Sequence, residues 1–185
     1  MRSELRVPAL LHKQSLFLQE ISTILIANLL LALIAQVSIP WQPVPLTFQS
    51  VAVVLLGLML GSQRAVTVVL LYLLEGFSGL PVFAGGLGGF PHFTFGYLVG
   101  FLPAAFMAGW LMERGAARHL VTTYLTAIAS AAVIFISGVF YLQFLVGWKT
   151  AIAVGITPFL GIELLKLLIA SLISRRFWVS RTCEN

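Results

Sequence analysis

Residues 152–173 read IAVGITPFLGIELLKLLIASLI, an apolar run of membrane-spanning length that carries one acid, Glu163, and one base, Lys166. Three residues apart on a helix, the two side chains share a face about one turn from each other. An ionisable group at mid-membrane depth costs on the order of 2.5–3.5 kcal/mol by insertion scales, so such groups are rarely left against lipid. The pair is therefore expected to point into the protein interior and to mark what the chain binds. The competing reading is an internal ion pair that only locks helix packing.

The rest of the chain agrees with a membrane setting. Of its 185 residues 59% are apolar and 9% charged, and the mean hydropathy is +1.02. A soluble domain carries roughly a quarter charged residues. Nearly all of the chain should lie in the bilayer, with no room for a soluble catalytic domain. The net charge of +5 does not point to nucleic acid, because the basic residues sit at the ends of apolar segments, where they set orientation. There is no aspartate, and the single cysteine, Cys183, excludes a disulfide framework and a cysteine metal site. No glycine-lysine phosphate loop, nucleophile with its base, or metal-ligand cluster occurs, so an enzyme is not expected and neither is a resident cofactor. A transporter built this way cannot hydrolyse ATP itself. With Glu163 its only acid deep in an apolar run, a partner is the more natural energy source than an ion gradient.

Six apolar segments are expected to form a compact all-α bundle: residues 21–39, 47–60, 65–76, 93–112, 120–144 and 152–173. The second and third are short and separated by residues 61–64, which fits a helical hairpin, with one long kinked segment as the alternative. Residues 1–20 form a leader, read as a short surface helix with Leu10, Leu11, Leu16, Phe17 and Leu18, and not as a cleaved signal. Residues 175–185 form a basic tail. With both termini cytoplasmic, the inner segments hold Arg2, Arg6, Lys13, Arg64, Arg114, Arg118, Arg175, Arg176 and Arg181, whereas the outer loops hold only Lys149. Glu113 with Arg114 and Arg118 reads as an inner-loop cluster, and Glu75 as a solvated group beside an outer loop. Ala27, Ala32 and Ala35 offer a close-approach surface for a partner helix.

Two outer loops then stand over one end of the bundle. Residues 38–46, SIPWQPVPL, hold three prolines and are stiff. Residues 76–92, GFSGLPVFAGGLGGFPH, hold six glycines and no arginine, lysine, aspartate or glutamate. That loop is too apolar for a simple solvated connector and reads as a lid or re-entrant wall lining a cavity, with a flexible turn as the alternative. An outward-open pocket follows, with Thr47, Gln49, His92, Thr94, Tyr97, Glu163 and Lys166 as polar candidates. Gln49 could equally bridge helices, and Tyr72 and Tyr141 read as core or interface aromatics. His92 lacks neighbours at ligand spacing, so a metal site is not expected. A carboxylate beside an ammonium suits a ligand with adjacent N–H and C=O groups, such as a cyclic urea, or one carrying its own carboxylate.

The motif order PVPLTFQSVAVVLLGLMLG, LYLLEGFSGLPVFAGGLGGF, TFGYLVGF and PFLGIELLKLLIA resembles the BioY family of biotin uptake proteins over about residues 40–173. These are substrate-binding S components of energy-coupling-factor (ECF) transporters. The resemblance implies a six-helix protein of the plasma membrane that captures biotin from outside with high affinity. It also implies a partner module of one transmembrane scaffold subunit and two ATP-hydrolysing subunits, although some BioY proteins lack a dedicated module. By motif match it carries substrate contacts to Gln49, to Phe83, Gly85 and Gly86 in the 82–86 loop, and to Glu163 and Lys166, with Thr94 and Tyr97 as candidates added from their position.

Two departures from the family pattern stand out. Glutamate replaces the family's usual aspartate at 163, which lengthens the arm by one methylene. An asparagine of the lid and an arginine before the glycine-tyrosine pair are absent, leaving Thr94 or His92 as substitute donors. Another small vitamin is the alternative ligand. In the expected chemistry Glu163 accepts from a ureido N–H, Lys166 donates to the ureido oxygen or the carboxylate, and Trp41, Val44 and Phe83 cover the apolar parts.

Overall fold

Gly61 decides how the second and third apolar segments are used. The computed structural model describes the backbone of residues 9–40 and 43–183 and the side chains of residues 16–40 and 43–178. In it, α2 (Gln49–Leu60) and α3 (Ser62–Phe77) are separated by Gly61 alone, whose φ of 85° is open to glycine and strained for other residues. Gln49, near one end of the pair, hydrogen-bonds Tyr72, near the other, so the chain doubles back and forms the hairpin. At 12 and 16 residues these helices reach roughly 18 and 24 Å, short of the ~30 Å hydrocarbon core.

The other elements are α1 (Ala9–Ala35), α4 (Phe95–Glu113), α5 (Leu120–Val146), α6 (Trp148–Gly155) and α7 (Leu160–Cys183). A two-residue ribbon pairs β1 (Ser38–Ile39) with β2 (Leu46–Thr47) between α1 and α2. Residues Leu16–Ala35 of α1, α4 and α5 are each long and apolar enough to cross a membrane. Helices α6 and α7, bent by 48° at the break that holds Pro158, make a fourth span if taken together. The molecule is an all-helical, multi-pass membrane protein whose apolar side chains are amply exposed to lipid, as on α1 (Leu25, Ile26, Leu29, Leu33) and α5 (Ile136, Phe140, Phe144).

Small residues let the helices close on one another. A methyl group at Gly96 would overlap Tyr141, one at Gly138 would overlap the Tyr97 ring, and one at Gly57 would meet Ala105 and Ala108. Helix α4 is thus the central post, with α5 against Gly96 and Gly100 and the α2–α3 corner against Ala105, Ala108 and Gly109. At that corner Glu113 caps α3, accepting from Ser62 N–H at 2.6 Å and from the Ser62 hydroxyl at 2.9 Å. Trp178 on α7 donates to the Leu58 carbonyl of α2 at 2.6 Å.

Several sequence expectations change here. The leader is no separate surface helix: residues 9–20 continue unbroken into the first span, while residues 1–8 lie outside the described residues. The sixth segment is two helices, broken at residues 156–159, where Pro158 lacks an N–H and disfavours helical backbone at Thr157 before it. Ala27 and Ala35 face the protein's own core and offer no surface to a partner. Glu113 turns away from Arg114 and Arg118 to Ser62, and Arg114 stacks 3.8 Å over Trp110. Glu75 is half-buried and partnered: both its oxygens accept from Asn28 Nδ2 at 2.8 Å, tying α1 to α3.

Candidate ligand-binding site

The end of the bundle carrying both long loops encloses a cavity of about 170 Å³. Its walls are mainly apolar: Val44 of the first loop, Phe83 and Leu87 of the second, and Leu98, Phe101, Phe135 and Phe159 from the helices. Polar groups are few and grouped. Thr47, Gln49 and Ser50 line one side at the start of α2, and His92 and Thr94 line another at the start of α4. Such a container, apolar with a few convergent polar groups, suits a small organic molecule.

Glu163 and Lys166 lie behind the first polar side. They form a buried ion pair, 4% and 7% exposed, and are joined across one helical turn. The Ser50 hydroxyl donates to Glu163 Oε1 at 2.7 Å, and Lys166 Nζ donates to the Thr47 carbonyl at 2.8 Å. Each charge therefore reaches the cavity wall through one intervening group. The α6–α7 break makes this burial tolerable, since it places Glu163 in the first turn of α7, where the helix dipole favours a carboxylate. The ammonium also sits 5.2 Å from the Phe48 ring centre.

The second loop is a lid with a knob. Phe83 is 3% exposed and sits over Gly76, where any side chain would overlap its ring; Tyr72 and Phe77 meet it edge-on at 5.5 and 5.4 Å. Gly85 and Gly86, with φ of 72° and 71°, turn the chain so that Phe83 N–H reaches the Leu87 carbonyl at 2.9 Å. These two glycines shape the lid without lining the cavity. Ala84, between them and Phe83, does line it.

Of the residues singled out in the sequence, Gln49, Phe83, Thr94 and Tyr97 line the cavity directly. Gln49 is buried and donates to the Tyr72 hydroxyl at 2.7 Å, so it bridges helices and faces the cavity at once. Tyr97 spends its hydroxyl on the Gly155 carbonyl at 3.0 Å, holding the end of α6, and offers the cavity its ring. The Thr94 hydroxyl makes no capping bond to α4 and is available on the wall. Trp41 lies outside the described residues. Among the described residues no group of His, Cys, Asp and Glu could hold a metal ion.

Three contributors escaped the sequence reading. Ser50 stands next to Gln49, and only its bond to residue 163 shows its importance. Tyr72, read as core, also donates to the Val82 carbonyl at 2.9 Å. Gln36, the amide just past α1, bonds the lid from almost fifty residues away in sequence. A lone amide at the outer end of an apolar run was the one available signal.

Residues 6–182 of the chain match the BioY family model. The chain is 36% identical over 161 residues to "Probable biotin transporter BioY" of Pyrococcus horikoshii, covering 85% of this chain and 95% of the relative. It is 40% identical over 147 residues to "Biotin transporter BioY" of Thermotoga maritima, covering 77% and 85%. In solved structures it is similar in fold, with a TM-score of 0.78 and 20% identity, to an S component for biotin from an ECF-type ABC transporter, over 88% of this chain and 92% of that one.

Proposed function

The chain belongs to the BioY family, and on that premise we propose that it captures biotin outside the plasma membrane and delivers it inward as the S component of an ECF transporter. It is a transport subunit and not an enzyme. The observation that carries this reading is the roofed, mainly apolar cavity whose small polar side is backed by the Glu163–Lys166 pair. Biotin has the matching layout, with a polar ureido ring fused to an apolar thiophane that bears an aliphatic carboxylate chain.

In this reading the ureido N–H displaces the Ser50 hydroxyl on Glu163, and the ureido oxygen displaces the Thr47 carbonyl on Lys166. A ligand able to satisfy both charges at once replaces two separate internal hydrogen bonds. Phe83 roofs the thiophane ring, Val44, Phe101 and Phe135 enclose the chain, and Thr94 donates to its carboxylate. Gln49 holds the floor through Tyr72. The distribution of the basic residues supports an orientation with both termini in the cytoplasm and the cavity outside.

Energy comes from a partner module of a transmembrane scaffold and two ATP-hydrolysing subunits. Uptake of labelled biotin by cells lacking their own transporter is expected to rise at least several-fold when chain and module are expressed together. That rise should vanish when the module's ATP hydrolysis is disabled. Equal uptake by the chain alone would replace the module-driven reading with a stand-alone facilitator.

A further inference from the structure

One carbonyl of the lid is held from two directions. The Val82 C=O accepts from the Tyr72 hydroxyl at 2.9 Å and from Gln36 Nε2 at 3.1 Å. The same Gln36 amide donates to the Phe83 carbonyl at 3.3 Å and accepts from Gly86 N–H at 2.9 Å. A single side chain thus meets three backbone groups across the 82–86 turn: the Val82 carbonyl, which the turn's own bonds leave open, and the Phe83 carbonyl and Gly86 N–H, which also bond each other at 3.1 Å. Gln36 Nε2 also lies 3.1 Å from the Ala32 carbonyl in the last turn of α1, so its two N–H groups are shared among three carbonyls.

The two anchors differ in kind. Tyr72 is fully buried, and its hydroxyl accepts from Gln49 on the cavity wall. Gln36 is exposed at the rim, where water can replace each of its bonds. A buried anchor bonded to a residue of the cavity wall, paired with a rim anchor that water can release, is the construction of a latch.

We propose that Gln36 is a positioning residue for ligand capture: it latches the 82–86 lid to the outer end of α1 and sets how long the ligand stays. The proposal rests on the biotin-capture reading for its ligand but not for its mechanics. Lid opening requires breaking the Gln36 contacts, whereas entry into an already open cavity does not. The residue therefore governs dissociation more than association. Because Gln36 and Tyr72 share the Val82 carbonyl, their effects are coupled and not additive.

The test compares wild type with Gln36→Met, which keeps length and removes every polar contact, in lipid nanodiscs. Labelled-biotin dissociation is expected to accelerate at least about fivefold, what losing one or two net hydrogen bonds amounts to, while association changes less than about twofold. Hydrogen exchange without ligand is expected to quicken in the peptide covering residues 80–90 and stay unchanged in α4 and α5. Unchanged dissociation with unchanged lid exchange overturns the latch. An affinity loss carried wholly by slower association overturns it too. Faster lid exchange in a protein that binds no biotin supports the latch and overturns the capture reading instead.

Discussion

Lys166→Met is expected to weaken biotin binding by roughly a hundredfold or more, while the protein still inserts and purifies as a folded species. Removing one partner of a buried ion pair costs about 3–5 kcal/mol, because the other charge is left uncompensated. Here that charge is Glu163, which keeps the Ser50 hydroxyl as a hydrogen-bond partner. The donor to the ureido oxygen is then gone, and the Glu163 carboxylate loses the partner that holds it in place.

The alternative, in which the pair only locks α7 in place, makes a different forecast for the uncharged double variant Glu163→Gln with Lys166→Met. If packing alone mattered, the double variant would recover binding, since no unpaired charge remains. If the pair recognises ligand, the double variant stays defective. Titration with biotin, beside thermal stability of each variant, separates the two.

Gly76→Leu is expected to raise the biotin dissociation constant by about 30- to 150-fold, through the lid and not through the polar groups. Any side chain at 76 occupies the space of the Phe83 ring. Expelling that ring from beneath Tyr72 and Phe77 forfeits about 2–3 kcal/mol of apolar burial, which converts to that range of affinity. Position 76 is one residue from the end of α3, and the close contacts of an added side chain there are with Phe83, so the helix itself should persist. Unchanged helical content by circular dichroism with weakened binding is the expected pair of results. Adding Phe83→Ala to Gly76→Leu should recover part of the affinity by making room. No recovery would show that residue 76 acts on something other than the lid.

Local chemistry was legible in the sequence, and long-range pairing was not. The Glu163–Lys166 pair could be read because three-residue spacing on a helix fixes which side chains meet. The lid could be read because charge-free, glycine-rich chain at a membrane surface needs a protein wall to lie against. Gly61, Ser62, Gln63 and Arg64 between two short apolar runs suggested the hairpin, and the positive φ of Gly61 realises it.

Pro158 carried a signal that the apolarity of its surroundings masked, and the break there places Glu163 at a helix start. By contrast, nothing in the spacing of Gln36 and Val82, Ser50 and Glu163, or Asn28 and Glu75 announces that they meet. Those contacts follow from how the helices cross. They also explain why the acid–base pair, correctly placed inside the bundle, stands one group back from the cavity wall.

Calorimetric titration of the detergent-purified protein with biotin, riboflavin and thiamine in parallel tests the central claim most directly. Tight one-to-one binding of biotin, with no heat from the other two, is the result expected of this cavity and its acid–base backing. Silence with biotin and clear saturation by another of the vitamins would contradict it.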